Sequence, residues 1–517
     1  MSDEAQIHDL DVQQLRDVVR TLIAEAAAKD REIAFKQAFI DKLTHEMAVL
    51  KRLKFAAQSE AYNAEQKSLL DETIDTDLAA LAAEIEQAQP SSQGQDDKQK
   101  PKRQPLPENL PRREIHHEPE NTTCACGCQL KRIGQDVAEK LDYQPGVFTV
   151  ERHIRGKWVC AKCETLIQAP MPAHIIDKGI PTTGLLAQVL VAKYADHLPL
   201  YRQESIFARA GLAIARSTLA QWVGQCGVQL QPLVDALRAE LLRHSVLHAD
   251  ETPVAMLKPG HGKTHRAYLW SYCTTTYSQT KAVVFDFADS RAGQHARDFL
   301  GLPGEDGWHG SLVCDDFSGY KACFEMGVTE AGCLAHARRK FHELWVNHQS
   351  TIGERALKFF IQLYDIEREV RELDAAHRKR IRQERSRPVA DAMHLWLAEQ
   401  RKKVPEGSAT AKAIDYSLGR WPALTRYIDD GELPADNNWV ENQIRPIALG
   451  RSNWLFAGSL RAGKRAAAVM SLVHSARLNG HDPYAYLRDV LERLPTHPAS
   501  RVEELLPHRW QPSGTAA

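Results

Sequence analysis

The chain has 517 residues, of which 43% are hydrophobic, and it carries 66 basic and 67 acidic side chains. This size predicts several domains with packed cores, and the near-neutral charge excludes a histone-like or a uniformly acidic protein. There is no run of roughly 18 apolar residues and no secretory signal, so we expect a cytoplasmic protein without a membrane contact, whose ten cysteines are thiols or metal ligands.

The first predicted element is a long helix within residues 1–60. Ile33, Ile40 and Met47 recur every seven residues, and Leu43 and Leu50 interleave with them at spacings of three and four. The pattern favours a short coiled coil, although an ordinary amphipathic helix has a similar pattern over three heptads. A coiled coil here offers a route to a homo-oligomer.

Residues 61–120 are predicted to hold a further helix and then a disordered linker. The segment 90–120 is rich in proline and charge and has almost no apolar side chains to bury, which is typical of an extended linker. It separates the N-terminal helix from the domains that follow.

Five of the ten cysteines fall within forty residues, which predicts a zinc-binding domain over residues 121–170. Cys160 and Cys163 have the spacing with which two thiolates bind one tetrahedral Zn²⁺, and two of Cys124, Cys126 and Cys128 supply the other ligands. The spacing does not decide which two. Four protein ligands leave no open coordination position, so we expect a structural zinc ribbon.

Residues 171–243 are predicted to be helical. Within them, the segments 203–211 and 217–223 read as two short helices joined at a glycine-containing turn, the second capped by Ser217. This pattern is typical of a DNA-binding helix-turn-helix and also of a packed helical hairpin, and both interpretations stay open.

Residues 244–345 change to strand-like runs, which predict a mixed α/β body. The expected strands are listed in chain order as 245–249, 267–273, 281–287, 311–314 and 331–335, with a helix at 292–300 before the fourth. Such a pattern suggests a mixed sheet flanked by helices. Residues 346–430 then read as a helical insertion, 431–460 as the second part of the body, and 461–517 as a C-terminal helical region.

Three acidic residues are candidates for a metal site. Asp250 directly follows the first strand-like run and Asp315 directly follows the fourth, so the two carboxylates meet if those strands are neighbours. Glu441 lies in a predicted helix that Asp436 or Asn437 caps, in the second turn.

Converging carboxylates repel one another unless a cation compensates their negative charge, and Mg²⁺ or Mn²⁺ is the cation that we expect to bind there. Two such ions roughly 4 Å apart assist an in-line phosphoryl displacement. The chemistry suggested is the cutting and joining of DNA.

Basic residues near these acids are candidate phosphate contacts, and Trp439 and Trp454 beside them are candidates for base stacking, although core packing is commoner. The predicted DNA-binding residues are His336, Arg338, Arg339, Lys340, Arg445, Arg451, Lys464 and Arg465.

Four segments resemble signature blocks of the insertion-sequence 66 family of transposases. They read HADETP at 248–253, CLAHARRKF at 333–341, DNNWVENQIRP at 436–446 and GRSNWLF at 450–456. The resemblance covers nearly the whole chain and implies a bacterial DDE transposase with a ribonuclease-H-like core interrupted by a helical insertion.

The resemblance also implies site residues and partners. Asp250, Asp315 and Glu441 become the metal-binding triad, and element ends and target DNA become the partners, with help from small accessory proteins and a place on the nucleoid. The family pattern usually has Gly after the second acid, where this chain has Asp316, so Asp316 is a second candidate for the role of Asp315.

Other functions stay open from the residues alone. A zinc-containing DNA-binding regulator needs no triad, and a metal-dependent nuclease cuts without joining. The segment 458–465 nearly matches a nucleotide-binding P-loop, but Arg465 stands where Ser or Thr would bind Mg²⁺, which disfavours an ATPase.

Overall fold

The computed structural model describes residues 12–56, 64–88, 106–108, 110–144, 146–176, 179–257, 264–304 and 306–513. Its first elements are two helices, α1 (Val12–Ala56) and α2 (Ala64–Ala88). Helix α1 contains the heptad positions, of which Leu43 is buried whereas Ile33 is 64% exposed. The coiled coil stays a prediction, and residues 89–105 of the predicted linker lie outside the described residues.

A long hairpin forms the zinc-binding region. Its strands β2 (Leu130–Gln144) and β3 (Val147–Cys160) are antiparallel, and the short β4 (Leu166–Gln168) extends the sheet beside β3. Strand β1 (Arg112–His117) runs parallel to β3, on the edge of β3 opposite β2. The assignment of residues 112–117 to a disordered linker was therefore wrong, because strand pairing with β3 orders their backbone.

Three helices follow: α3 (Thr183–Tyr194), α4 (Leu200–Arg209) and α5 (Arg216–Leu241). The expected cap at Ser217 was wrong, because α5 begins one residue earlier, after Ala215. The backbone N–H of Arg216 instead donates to the Glu204 carboxylate at 2.9 Å.

Helix α5 is a core helix for most of its length. Leu219, Trp222 and Val223 in its first turns are buried, and a Cβ on Gly224 would lie 2.5 Å from the carbonyl oxygen of Thr76 in α2. The two helices around the 210–215 turn thus exist as predicted. One side of the second packs on α2, while Ser217 and Gln221 in its first turns are exposed, so both interpretations of this helix pair stay open.

The central body is a five-stranded mixed sheet in the order β7-β6-β5-β8-β9. The strands are β5 (Val246–Leu257), β6 (Thr264–Thr274), β7 (Val283–Ala288), β8 (Ser311–Cys314) and β9 (Thr329–Gly332), with helices α6 (Gln294–Leu300) and α7 (Lys321–Glu325) in the connections. The first three strands are antiparallel, whereas β8 and β9 run parallel to β5.

The mixed sheet was predicted, but the fifth strand was placed too late. The strand ends at Gly332, and residues 334 and 335 already belong to a helix whose Leu334, Ala337 and Phe341 form a buried stripe. Helical spacing of these apolar side chains, rather than strand alternation, decides the local structure.

Helices occupy the insertion between the two parts of the body. They are α8 (Leu334–His348), α9 (Thr351–Val370), α10 (Ala375–Ile381), the π-helical segment Arg382–Ser386, α11 (Arg387–Arg401), α12 (Ala409–Gly419) and α13 (Trp421–Asp429). Phe341, Phe360 and Leu397 belong to a separate hydrophobic core. The fully buried Arg382 is neutralised by Glu367 at 2.6 Å, as a buried charge requires.

The chain then returns to the sheet as α14 (Asn438–Trp454), α15 (Leu460–Leu478) and α16 (Pro483–Arg493), followed by the short 3₁₀ segments Leu494–Thr496 and Ala499–Leu505. Helix α15 covers the edge strand β7, where the Ser471 and Ser475 hydroxyls accept hydrogen bonds from the backbone N–H groups of Phe285 and Val283 at 2.8 and 3.0 Å. Because a helix precedes Gly458 where a P-loop needs a strand, the structure gives no support to nucleotide binding there.

Helix α2 is joined to this body by buried ion pairs. Asp77 accepts a hydrogen bond from Arg465 at 2.9 Å with both side chains buried, and Glu72 pairs with Lys193 and accepts from the backbone N–H of Leu200 at 2.9 Å. The expectation that Arg465 contacts DNA was therefore wrong, because its charge is neutralised inside the protein. In the described part of the chain, no helix is long and apolar enough to cross a membrane.

Candidate active site and metal centres

Asp250 and Asp315 lie side by side on neighbouring parallel strands. His248 pairs with Val313, so the two aspartates, each two residues further on, reach the same level of the sheet. Strand β5 continues past Asp250 to Leu257 because it stays paired with β6, whereas β8 ends at Cys314. The expectation that Asp250 follows its strand was wrong, but the predicted neighbourhood of the two strands is confirmed.

The electrostatics of Asp250 couple it to the other acids. Burial is the main cause that raises its pKa well above the ordinary 3.8, and Glu251, Asp315 and Glu441 raise it further. The backbone N–H of Glu251 donates to its Oδ1 at 2.9 Å, which only partly offsets these effects. A buried acid under this repulsion favours either a proton or a bound cation.

Glu441 enters the cluster from the first turn of α14, not the second. Its Oε1 is buried and has no hydrogen-bond donor among the described residues. Nε2 of His336 and a guanidinium nitrogen of Arg339 lie 3.7 Å from Oε1 and Oε2, beyond hydrogen-bonding distance. Burial is the main cause that lowers the pKa of His336, so Arg339 is the charged one of the two at pH 7. The free lone pairs thus suit a ligand that binds to oxygen.

The residues fit a hard divalent cation by their chemistry. Oxygen ligands from carboxylates are what Mg²⁺ prefers, and Asp250, Asp315 and Glu441 supply them. The carboxylate oxygens are spread more widely than thiolates around one zinc, since in the described chain only a cysteine set has ligand atoms all within 4.8 Å of one another.

Asp316 is held away from this cluster. Its carboxylate lies 3.5 Å from Nε of Arg420, which also binds Glu330 and donates to the carbonyl oxygen of Asp315 at 3.3 Å. Asp315, in contrast, uses one carboxylate oxygen to accept from the backbone N–H of Phe317 at 2.9 Å. Of the two adjacent aspartates, Asp315 is the one coupled to Asp250.

Glu251 is a fourth acid that we did not identify from the sequence. Burial is the main cause that raises its pKa, while Arg291 and Tyr320 lower it by hydrogen bonding. Tyr320 donates to one oxygen and Nε of Arg291 to the other, both at 2.8 Å. Glu251 is therefore satisfied by protein donors, whereas Glu441 is not.

A buried hydrogen-bonded link joins the acid-bearing elements. Asn437 donates to the carbonyl oxygen of Ala249 at 2.9 Å, so its Oδ1 faces His248 and accepts from Nδ1 at 2.8 Å. Burial lowers the pKa of His248 to about 4, which keeps the ring neutral at pH 7. The backbone N–H of Asn437 also donates to Cys333 Sγ at 3.1 Å.

This link corrects the capping expectation. The side chain of Asn437 makes no cap, and the carboxylate of Asp436 instead accepts from the backbone N–H of Asn438 at 3.0 Å. We call His248 and Asn437 the buried link. The only sequence signal for it is the presence of both residues in the motifs that contain Asp250 and Glu441.

The predicted DNA-binding residues divide by environment. Arg338, Arg445 and Lys464 are exposed, and Lys340 lies over the Tyr416 ring at 4.3 Å beside the cleft of Asp315. Arg451 is half-buried and donates to the carbonyl oxygen of Pro253.

The two tryptophans pack against the body. Trp439 donates to the carbonyl oxygen of Thr274 at 2.9 Å, and Trp454 lines an apolar cavity. Both are half-buried, which agrees better with packing than with base stacking.

Four of the five clustered cysteines come together at the end of the ribbon hairpin. Cys124 and Cys126 approach Cys160 and Cys163, with sulfur separations of 3.2 Å for Cys124–Cys163, 3.6 Å for Cys126–Cys160 and 3.8 Å for Cys126–Cys163. Four sulfurs about 2.3 Å from one Zn²⁺ stand about 3.8 Å apart, so the set fits a tetrahedral zinc. Cys128 stays outside it, which answers the question that the spacing left open.

Short turns build this zinc site. The backbone N–H of Gly127 donates to the Cys124 carbonyl oxygen at 2.8 Å, and that of Glu164 donates to the Cys160 carbonyl oxygen at 2.9 Å. Gly127 has a φ of +80°, which glycine adopts without strain. All four positions are occupied by thiols, so this centre is structural.

The structure defines a class of protein: a zinc-ribbon protein whose mixed sheet carries a cluster of acids beside basic side chains. Comparisons with protein families are consistent with it. The model described as "Transposase IS66 family" matches residues 178–465, and "IS66 C-terminal element" matches 471–508. The "zinc-finger binding domain of transposase IS66" matches 121–164, and "Transposase C of IS166 homeodomain" matches 42–115.

The chain belongs to the IS66 family of transposases, as the resemblance of its motifs predicted. Similar proteins occur in Sinorhizobium fredii (strain NBRC 101917 / NGR234). The uncharacterized protein y4qI is 36% identical over 539 residues, with 97% of both chains covered. The uncharacterized protein y4jD is 36% identical over 490 residues, covering 91% of this chain and 94% of the relative.

Proposed function

We propose that this protein cleaves DNA at the ends of a mobile element and joins those ends to a target, using Asp250, Asp315 and Glu441 with Mg²⁺ or Mn²⁺. One observation carries the proposal. A buried Asp250 with a raised pKa lies level with Asp315 and is coupled to Glu441, whose Oε1 has no donor in the described protein.

The topology supports a ribonuclease-H-like core. Three antiparallel strands are followed by two parallel strands, and the three acids lie on the first strand, after the fourth and on the helix that follows the insertion. This is the arrangement that the family resemblance implied. The insertion separates Asp315 from Glu441 in the chain but leaves α14 packed against the sheet, with the buried link between them.

The bound metal ions would activate the attacking oxygen and stabilise the leaving oxygen. The three carboxylates would hold those ions, while Arg339 lies 3.7 Å from the Glu441 carboxylate and balances part of its charge. Lys340 lines the cleft that contains Asp315 and would neutralise a DNA phosphate, whereas Arg291 in the same cleft is paired with Glu251.

The two reactions share one balanced scheme. In cleavage, a water oxygen attacks phosphorus and the bond to the 3′ oxygen breaks, which leaves a 3′-hydroxyl. In joining, that hydroxyl attacks a target phosphodiester, so one such bond forms as another breaks and no energy cofactor is needed. A single acid cluster serves both steps because both are in-line displacements.

The remaining parts receive roles in DNA binding and assembly. We assign recognition of the element ends to the zinc ribbon together with Arg445, the exposed basic residue of α14. Two ends must meet for joining, so a homo-oligomer is the working form, and the exposed apolar side chains of α1 are its proposed contact. The proposal also includes help from small accessory proteins and a location on the nucleoid.

Supercoiled donor DNA with element ends, incubated with Mg²⁺, tests the proposal. Asp250→Asn, Asp315→Asn and Glu441→Gln should each lower cleavage by about 10²- to 10³-fold or more while leaving DNA binding within a few-fold. Normal activity in any one variant removes that residue from the triad. Cleavage without any joining points to a nuclease, and binding without cleavage in the wild type points to a regulator.

A further inference from the structure

Two grooves meet on either side of Arg339. The first, which we call the acid groove, has a volume of about 550 Å³ and is lined by Asp315, His336, Arg339 and Lys340 among others. The second, which we call the arginine groove, has a volume of about 540 Å³ and lies between α8, α9 and the start of α14. Its polar lining consists of Arg338, Arg339, His342, Tyr364, Arg368 and Asn438.

The arginine groove is built by two helix faces. Arg338 and His342 are four residues apart on α8, and Tyr364 and Arg368 are four apart on α9, so each pair lies on one face. Tyr364 is held in place in the groove, because its hydroxyl donates to the Asp436 carboxylate at 2.9 Å, two residues before the start of α14.

The charge of the groove has one sign. Every lining side chain that ionises as an acid or base at neutral pH is an arginine or a histidine. Arg338 is exposed and has no carboxylate within 4 Å among the described residues, and Arg368 pairs only with the exposed Asp365 at 2.6 Å. Exposed pairs of this kind contribute little, so Arg368 is free to exchange its partner for a phosphate.

The groove leads to the acid cluster. Asn438 lies one helical turn before Glu441 on α14, and Arg339, which lines both grooves, lies 3.7 Å from the Glu441 carboxylate. Arg339 thus connects both grooves to the Glu441 carboxylate, which itself lines neither of them.

We propose that the arginine groove binds the backbone of the target DNA, the segment to which the element end is joined; this rests on the proposed function. Joining brings two DNA backbones to one acid cluster, and the two grooves meet at Arg339 beside Glu441. The acid groove contains Asp315, so it holds the reacting phosphate. The arginine groove has no carboxylate to bind a metal ion, so it neutralises phosphates beside the reacting bond and orients the second DNA.

The test separates joining from cleavage. Precut element ends, a target plasmid and Mg²⁺ are combined with wild-type protein, Arg338→Ala, Arg368→Ala and the double variant. Arg380→Ala is the matched control, since Arg380 is an exposed base of the same insertion that pairs with Glu384 and lies outside the groove. Cleavage of uncut ends is measured in parallel.

For the double variant we expect joining to fall about tenfold or more, and at least about five times further than cleavage falls. Binding of a duplex without element ends to end-loaded protein should lose about one unit of salt dependence for each arginine removed, with Arg380→Ala unchanged. Equal loss of cleavage and joining, or joining at the level of Arg380→Ala, overturns the proposal. If the wild type neither cleaves nor joins, the proposed function fails, and the duplex-binding measurement still decides whether the groove holds DNA.

Discussion

The zinc ribbon and the acid cluster of this molecule differ in how the chain brings their side chains together. In the zinc ribbon, four sulfurs approach one another within 4.8 Å, and two short turns hold them. In the acid cluster, the carboxylates come from a strand, a strand end and a helix, and Asp315 lines a groove. A set closed by four thiols suits a structural role, whereas the proposed catalytic role needs a cluster that a substrate can reach.

Different effects dominate the pKa values at the two sites. In the ribbon, hydrogen bonding from Thr165 is the main cause that lowers the pKa of Cys163 to about 6, which favours a thiolate there, whereas the pKa of Cys124 is raised to about 11. In the acid cluster, burial raises the pKa of Asp250, so metal-free protein holds that carboxylate at a cost. Under the proposed function, a bound cation would offset that cost.

The largest expected effect concerns the ribbon. Cys160→Ser should reduce zinc from about one ion per chain to almost none, because structural zinc contributes about 10 kcal/mol or more of binding free energy to such domains. Metal analysis and amide exchange over residues 121–164 check this. Cys128→Ser is the matched control and should keep its zinc; zinc loss there would mean that Cys128 is a ligand.

The buried link gives the next effect. Asn437→Ala leaves the His248 N–H and the Ala249 carbonyl oxygen without a partner, so the free energy of unfolding should fall by about 1–3 kcal/mol. Cleavage should fall as well, because the link positions Glu441 relative to Asp250. Denaturant unfolding and a kcat measurement at saturating DNA test both, with the exposed Asn442→Ala as control. Unchanged cleavage in a destabilised variant limits the link to folding.

Removing the charge of Asp250 should stabilise the metal-free protein, whereas the two preceding substitutions should destabilise it. A carboxyl group whose pKa is raised in the folded state contributes stability while it is protonated and loses that contribution as the pH rises through the folded pKa. In metal-free protein, Asp250→Asn should therefore raise the free energy of unfolding by about 1 kcal/mol or more at neutral pH.

Thermal unfolding against pH, with and without Mg²⁺, measures this effect. The advantage of the variant should grow as the pH rises above the ordinary 3.8, and Mg²⁺ should stabilise the wild type more than the variant. A variant less stable than the wild type in metal-free buffer contradicts the interpretation.

The smallest effect is expected at Asp316. Asp316→Asn weakens a half-exposed pair with Arg420, so activity should change by no more than about fivefold. A loss as large as that of Asp315→Asn would show that the two adjacent aspartates share the metal. Cleavage rates at several Mg²⁺ concentrations distinguish these results.

Local patterns made much of the architecture predictable. The cysteine spacing identified the zinc region, and apolar runs identified the neighbouring strands that bring Asp250 and Asp315 together. The wrong predictions came from strand pairing, which local patterns do not show. Strand β5 extends beyond Asp250 because it pairs with β6, and residues 112–117 form a strand because they pair with β3.

Long-range side-chain partners were the part that the sequence could not supply. His248 and Asn437 are 189 positions apart, and Arg465 was expected on the surface because Asp77 lies 388 positions earlier. Neither separation leaves a periodic signal. The sequence also could not show which two of Cys124, Cys126 and Cys128 bind zinc, because the geometry of the turn decides it.

The ion pair between Asp77 and Arg465 also sets an order of events during protein synthesis. At about 5–20 residues per second, a ribosome needs roughly 20–80 s to add the 388 residues between them. Asp77 of helix α2 therefore lacks its Arg465 partner for that long, so the buried ion pair that joins α2 to the central body forms only late in synthesis.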